Sequence, residues 1–180
     1  TVNIIGGGLA GSEAALYLSA HGVDVRLYEA KPLWRSPAHS SDGFAEIVCS
    51  NSLKSTVETT ASGTLKNELD VLGCSLLDIA RTVSVPAGSA LAVDRDAFSA
   101  FVTDAIRSRK NITVINTIVD SLDFEEPTLV CAGPVCHDGL AAALASITGG
   151  QSLHFFDAAA PIVTADGIDM SRAFFGARYG

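Results

Sequence analysis

The sequence predicts an α/β fold on a parallel sheet, and three observations carry that prediction. An apolar strand, Val2-Asn3-Ile4-Ile5, runs into Gly6-Gly7-Gly8-Leu9-Ala10-Gly11 and then into a helix. A second apolar strand, Val25-Arg26-Leu27-Tyr28, ends in an acid at Glu29. Downstream, apolar extended stretches alternate with amphipathic helices, the order in which βαβ units are written.

Each glycine of Gly6-x-Gly8-x-x-Gly11 has a physical reason to be there. Gly6 permits the tight turn, Gly8 lets a pyrophosphate touch the backbone, and Gly11 lets helix and strand pack closely. The free N–H groups and positive dipole end of a helix starting near Leu9 would face the phosphates, so no basic side chain is needed. Gly6, Gly7, Gly8, Leu9, Ala10 and Gly11 are therefore cofactor-binding candidates. Glu29 joins them, because a carboxylate at that strand end accepts hydrogen bonds from a ribose diol and repels a ribose 2'-phosphate, favouring FAD or NAD over NADP. A glycine-rich turn that merely packs would leave the placement of Glu29 to chance. The start of the chain thus reads as Rossmann-like.

With 180 residues, 48% of them apolar, the chain can bury one substantial core. A formal net charge of -8 argues against a basic nucleic-acid-binding face on this segment taken alone. The four cysteines, Cys49, Cys74, Cys131 and Cys136, show neither C-x-x-C spacing nor a disulfide framework; they read as free thiols in a reducing cytoplasm, with no metal site expected. No apolar run reaches the ~18 residues needed to span a bilayer, and no membrane partner is expected.

Taken in order, the helix after the loop is expected to bury Ala10, Ala14, Tyr17 and Leu18 before Gly22 breaks it. From Ala30 to Gly43 the pattern is irregular, a loop leaving the cofactor edge of the sheet. Phe44 to Ser55 follows, with small polar positions around Cys49 that form no helical or strand stripe. A short helix with Leu65, Leu69 and Leu72 on one face ends at Gly73, and Leu76, Leu77 and Ala80 extend the helical layer. Val83 to Val93 reads as strand, turn and strand, with Pro86 confining the first to an edge. The clearest helix is Asp96 to Ser108, capped by Asp94 or Asp96, with Phe98, Phe101, Val102, Ala105 and Ile106 inward.

The chain then returns to extended structure at Thr113-Val114-Ile115 and Ile118-Val119, and Thr128-Leu129-Val130-Cys131 reads as a buried strand. Gly133, just after it, either lets backbone approach a ligand or turns the chain, and is the last cofactor-binding candidate. A helix with Leu140, Leu144 and Ile147 inward ends at Gly149-Gly150, followed by a strand at Leu153 to Phe156, a turn at Asp157 to Pro161 and extended Ile162-Val163. Asp166 to Gly180 shows no decisive period and no closing element. The expectation is an incomplete domain: residues 1–180 as the N-terminal part of an FAD-binding domain with the start of an inserted substrate region.

Several passages closely resemble the folate- and FAD-dependent tRNA (uracil-5-)-methyltransferase family, a relative of the larger flavoprotein tRNA uridine-modification proteins. They are Gly8 to Ala15, Arg26-Leu27-Tyr28-Glu29, Pro37-Ala38-His39, Phe44-Ala45-Glu46, Val48-Cys49-Ser50-Asn51-Ser52-Leu53, Ser84 to Gly88, Ala90 to Arg95 and Phe156 to Val163. The Cys49 and Asp157-Ala158-Ala159-Ala160-Pro161-Ile162 passages are far more specific than the glycine loop. The resemblance covers essentially the whole chain. It implies a glutathione-reductase-type flavoprotein fold, and an enzyme moving a one-carbon unit from methylenetetrahydrofolate, through reduced FAD, to C5 of a uridine in the tRNA T-loop. NAD(P)H would supply electrons. Uracil C5 is a poor nucleophile until a thiolate adds at C6 or the carbon donor is strongly activated, so thiols suit the task.

Cys49 matches one of the family's two functional cysteines, with a role in handling the one-carbon unit or in uracil activation, and is the catalytic candidate. The other family cysteine lies beyond Gly180, and Cys74, Cys131 and Cys136 do not match it, so residues 1–180 alone are not expected to complete a turnover. Read on its residues alone, Cys49 is open between a buried packing thiol and a functional one. Cys131 reads as core. His39 is open between a loop histidine without a task and one touching flavin or substrate, and Lys54 and Arg35 read chiefly as solvated cations.

Two positions depart from the family pattern. Family members usually read Ala-Thr-Gly-Pro where this chain has Ala132-Gly133-Pro134, and Ser40 stands where a second histidine often follows His39. Neither touches the phosphate loop or Glu29, so FAD binding is expected to survive. An RNA substrate needs basic neighbours, expected on surface outside these residues. A flavoprotein modifying another RNA, such as a ribosomal uridine, and a non-catalytic dinucleotide-binding remnant are the alternatives.

Overall fold

A computed structural model describes residues 1–150 and 165–173. Strands β1 (Val2–Ile5), β2 (Val25–Glu29), β6 (Ile112–Asn116) and β7 (Thr128–Val130) form a parallel sheet in the order β6-β2-β1-β7. Val2 lies beside Val25, and Val25 beside Ile112, so the β-branched residues that favour strands also set the register. Helix α1 (Leu9–Ala20) makes the β1 to β2 crossover. The longer crossover from β2 to β6 carries β3 (Ser52–Ser55), α2 (Ala61–Val71), α3 (Ser75–Thr82), β4 (Ser84–Val85), β5 (Ala90–Val93) and α4 (Arg95–Arg107). Its strands form a small antiparallel sheet, β3-β5-β4, and α5 (Asp138–Thr148) follows β7. Pro86 directly follows β4, an edge strand, as a residue lacking an N–H requires.

One continuous core joins the two sheets. Ile4, Val25 and Leu27 of the parallel sheet, Leu16 of α1, Leu76, Leu77 and Ala80 of α3, Leu91 and Val93 of β5, and Phe98, Val102 and Ile106 of α4 belong to the same cluster. Phe44, Ala45 and Ile47 join it from a segment with no regular structure. That segment is sewn in by its backbone: Phe44 N–H donates to Thr103 Oγ1 (2.9 Å), Ser99 Oγ donates to the Phe44 carbonyl (2.7 Å), and Ala45 N–H donates to the Gly7 carbonyl (2.8 Å). Glu13 closes another seam, accepting the N–H groups of Ser75 (2.9 Å) and Leu76 (2.8 Å) at the start of α3. A carboxylate at that end satisfies orphan donors and complements the helix dipole.

Several expected faces are shifted. Helix α1 buries Gly11, Ser12, Ala15, Leu16 and Ser19; of the expected face, Ala14 and Leu18 are partly buried against the core, whereas Ala10 and Tyr17 are exposed. The helix is apolar nearly all round, so periodicity leaves its inward face undetermined, and the need for close approach selects the small residues. In α2 the buried positions are Gly63 and Lys66, with Leu65 and Leu72 exposed and Leu69 partly buried against the core. A Cβ on Gly63 would stand 1.9 Å from the Val57 carbonyl oxygen, which shows how tightly that face is pressed. In α5 Leu140 is buried while Ile147 is exposed. Strand β7 has a described neighbour on one side only, so Leu129 and Val130 are partly exposed instead of buried, and Ile118 and Val119 lie in the connection to β7. The predicted strand, turn and extended pair between Leu153 and Val163 lie outside the described residues.

Helix α4 is capped as expected, Asp94 accepting from Asp96 N–H (3.1 Å) and Ala97 N–H (3.0 Å). Its buried face holds Phe98 at 0% exposure, while Phe101 is 51% exposed. Phe98→Ala is therefore expected to destabilise the fold by about 3–5 kcal/mol, and Phe101→Ala by less than about 1 kcal/mol. Chemical denaturation of the two variants side by side measures this, and equal losses would contradict the assigned face.

Candidate functional site: a dinucleotide cleft

Strand β1 has β2 on one side and β7 on the other, so the chain leaves the carboxyl ends of these strands in opposite directions. Open α/β sheets hold ligands at such a switch point. A cleft of about 440 Å³ lies there, lined by Gly6, Gly7, Gly8, Leu9, Ala10, Glu29 and Gly133 among others. Of the residues singled out for cofactor binding, only Gly11 is missing from its walls. Gly11 is buried behind the turn, where a Cβ would stand 1.9 Å from the Gly6 carbonyl oxygen.

The three motif glycines therefore do three separate things. Gly6 holds φ at +100°, and a Cβ there would stand 2.6 Å from Ala132 Cα, so the first turn and the segment after β7 press against each other. Gly8 is the reverse: a Cβ built on it meets no atom of the described residues within 4 Å. Its side-chain space is open at the start of α1, which has no side-chain cap and no acidic residue in its first turn. Unpaired first-turn N–H groups and the positive end of the helix dipole, with space in front, suit a pyrophosphate.

Glu29 is 7% exposed and both its oxygens are held by backbone donors. Gly7 N–H donates to Oε2 (2.7 Å) and Lys31 N–H donates to Oε1 (2.9 Å). A carboxylate oxygen accepts more than one hydrogen bond, so a carboxylate fixed in this way can still take a ribose diol from the cleft. The open cradle at Gly8 and this anchored acid fit an adenine dinucleotide.

Sequence reasoning missed the network under the loop from Ala30 to Gly43. Lys31 is buried, its Nζ donating to the Gly43 carbonyl (2.5 Å) and lying 3.9 Å from Glu46 Oε2. Glu46 Oε1 accepts from Ser40 N–H (2.9 Å) and Ser40 Oγ (2.8 Å), and Ser41 N–H reaches the same carboxylate at 3.3 Å. Burial opposes ionisation of Glu46, but the Ser40 and Ser41 donors and the Lys31 ammonium outweigh it and hold the carboxyl below its ordinary range. Irregular segments offer no period from which such partners could be read; the one available signal was the proximity of Lys31 to Glu29.

A depressed carboxyl pKa stabilises the fold above the unfolded value and ceases to do so as pH falls through the folded one. The loop is therefore expected to become progressively protease-sensitive as pH falls below the ordinary carboxylate range and through the lowered Glu46 value, and Glu46→Gln to make it sensitive at neutral pH as well. Digestion across pH measures both; a Gln variant as resistant as the parent at pH 7 would remove the carboxylate from this role.

The cysteines divide. Cys49 is exposed, which removes the packing reading, and it sits in a second, shallow depression with Ser50, Asn51, Val85, Asp94 and Arg95. It is not among the residues lining the cleft, although its neighbour Val48 is. Cys131, expected in the core, is half-buried: it packs against the core on one side and lines the cleft on the other, with burial pushing its thiol pKa up. Cys136 also lines the cleft, as do Trp34 and His137, whose rings meet edge to face at 5.4 Å. Among the described residues no cluster of His, Cys, Asp or Glu could hold a metal ion, and no helix is long and apolar enough to cross a membrane.

This geometry has known counterparts. The chain is 48% identical over 179 residues to the methylenetetrahydrofolate–tRNA-(uracil-5-)-methyltransferases TrmFO of Bacillus licheniformis and Bacillus subtilis, and 48% identical to that of Fusobacterium nucleatum. In each case the alignment takes in 99% of this chain, which spans 41% of the relative's length. Among solved structures, that of GidA from Aquifex aeolicus aligns with a TM-score of 0.55 at 18% identity, covering 69% of this chain and 20% of that one. At that identity the likeness speaks for the fold, and it is the Rossmann-like α/β fold that the glycine turn and parallel sheet require. The profile of the family described as glucose inhibited division protein A matches residues 1–180 from end to end, and the chain belongs to that family.

Proposed function

We propose that these residues are the N-terminal part of the FAD-binding domain of an enzyme that methylates C5 of a uridine in the tRNA T-loop, using methylenetetrahydrofolate and FAD. The observation that carries this reading is 48% identity to TrmFO enzymes across 99% of the chain, on a cleft whose walls fit a dinucleotide. NAD(P)H is the proposed electron source, tRNA and folate are the proposed partners, and the cytoplasm, where tRNA and reduced thiols coexist, is the proposed location.

Bound FAD would supply storage for reducing equivalents that folate cannot give without itself being oxidised. The rest falls to the chain. The start of α1 receives the pyrophosphate beside Gly8, Glu29 orients the adenosine ribose, and Gly133 brings backbone to the opposite wall of the cleft. Cys49, an exposed thiol at the edge of the inserted region, is the proposed catalytic group. Arg95 is exposed beside it, but Asp94 and Asp96 share the same depression, so the basic surface that a polyanion needs is proposed to lie outside these residues.

The test uses the full-length protein. FAD is expected to be released on denaturation, and labelled methyl from methylenetetrahydrofolate to appear in tRNA transcripts and not in ribosomal RNA presented alongside. Transfer to ribosomal RNA alone would move the substrate, and no transfer to either would overturn the proposal.

A further inference from the structure

Ser36 and His39 lie in the irregular loop that leaves β2, and both line the cleft. Ser36 is 4% exposed. Its Oγ accepts the N–H of Ala38 at 3.3 Å and stands 2.6 Å from His39 Nδ1. Among the described residues no other acceptor lies within hydrogen-bond reach of that hydroxyl. A buried hydroxyl proton needs an acceptor, and Nδ1 is the one present. Were Nδ1 protonated instead, Ser36 Oγ would accept twice and its own proton would be stranded.

We propose that Ser36 holds His39 in the Nε2–H tautomer, so that His39 presents a neutral hydrogen-bond donor to an acceptor atom of the dinucleotide in the cleft. Ser36 is then a positioning residue and His39 a cofactor contact. The proposal rests on the dinucleotide reading of the cleft. Several charges bear on the imidazole. Burial and the Lys31 ammonium push its pKa below the ordinary 6.5, while Glu46 and Glu29 pull the other way and are outweighed. The ring thus stays neutral at pH 7, a state in which one nitrogen donates and the other accepts. A neutral donor adds directional recognition to a site whose phosphate-facing end is built from backbone.

The experiment uses full-length protein stripped of flavin, with two readouts. In the first, ¹⁵N-histidine spectra at pH 7, assigned through the signal lost in His39→Gln, are expected to show the Nε2–H tautomer, shifting toward a mixture in Ser36→Ala. In the second, titration with FAD is expected to show affinity falling about tenfold in His39→Ala, the worth of one hydrogen bond. His39→Gln, whose carboxamide can offer an N–H donor to the cleft, is expected to stay within about threefold of the parent.

An Nδ1–H or charged imidazole overturns the proposal, and so does a folded His39→Ala variant that binds FAD as the parent does. Gln and Ala variants equally weakened would overturn it too, since that is what a purely structural role would give. A parent protein that takes up no FAD overturns the dinucleotide reading and this contact with it, whereas parental binding with no loss in His39→Ala sinks this contact alone.

Discussion

Gly8→Val in the full-length protein is expected to abolish FAD binding, with affinity falling by at least about a hundredfold, while the fold survives. Both halves of that expectation come from one feature: a Cβ at Gly8 would meet no atom of the described residues within 4 Å, so the added side chain branches into open space. Gly8 has φ -71° and ψ -167°, an extended conformation open to valine. The cost to folding is that of a poorer helix N-cap, about 1 kcal/mol, or about 2–4 °C in melting temperature. The space it fills is that in front of the α1 N-terminus, where the pyrophosphate would sit. A loss of about 3 kcal/mol of contact there is the stated factor of a hundred. Gly11→Ala is the control with the opposite signature, because its Cβ would stand 1.9 Å from the Gly6 carbonyl oxygen and must push helix from strand. Equilibrium titration with FAD and thermal melts separate the two. A Gly8→Val protein that still carries stoichiometric FAD would contradict the assignment of the turn.

That contrast also shows what could be read before the structure. The glycine turn, Glu29 and the parallel order of the first strands were legible because each follows from a local rule: strand, turn and helix are adjacent in sequence, and an acid ends the next strand. The Asp94 cap and the β4–β5 hairpin were legible for the same reason. Faces were harder. Apolar residues surround α1 almost completely, and only the demand that it lie close to β1 selects Gly11, Ser12 and Ala15 as its inner side. Phe101 follows the period of α4 yet faces out, because the pattern of that helix is wider than the surface available to cover it. Least legible were long-range polar seams such as Glu13 to α3, or Phe44 to Ser99 and Thr103, the latter partners standing 55 and 59 positions apart. No period announces them. The Lys31, Glu46 and His39 group belongs to the same class, which is why the cleft's chemistry was less visible than its phosphate end.

Cys49→Ala in the full-length protein is expected to keep its FAD and to lose methyl transfer by about a thousandfold or more, the scale on which removal of an activated nucleophile acts. The structure makes this a clean test. Cys49 is exposed and belongs to the depression beside Asp94 and Arg95, not to the walls of the cleft, so its removal takes nothing from the turn or from Glu29. An exposed small side chain replaced by alanine changes stability by about 0.5 kcal/mol or less. Any large loss of turnover must then come from chemistry. Flavin content by absorbance and single-turnover methyl transfer to tRNA distinguish the outcomes. Loss of flavin together with activity would place this thiol in cofactor retention, which its position outside the cleft opposes. Unchanged transfer would mean that the exposed sulphur takes no part, and that a thiol in the rest of the protein acts without it. Retained flavin with lost transfer would place this thiol in the methyl-transfer chemistry and leave the holding of the cofactor to the turn and Glu29, as the separation of the Cys49 depression from the cleft walls leads one to expect.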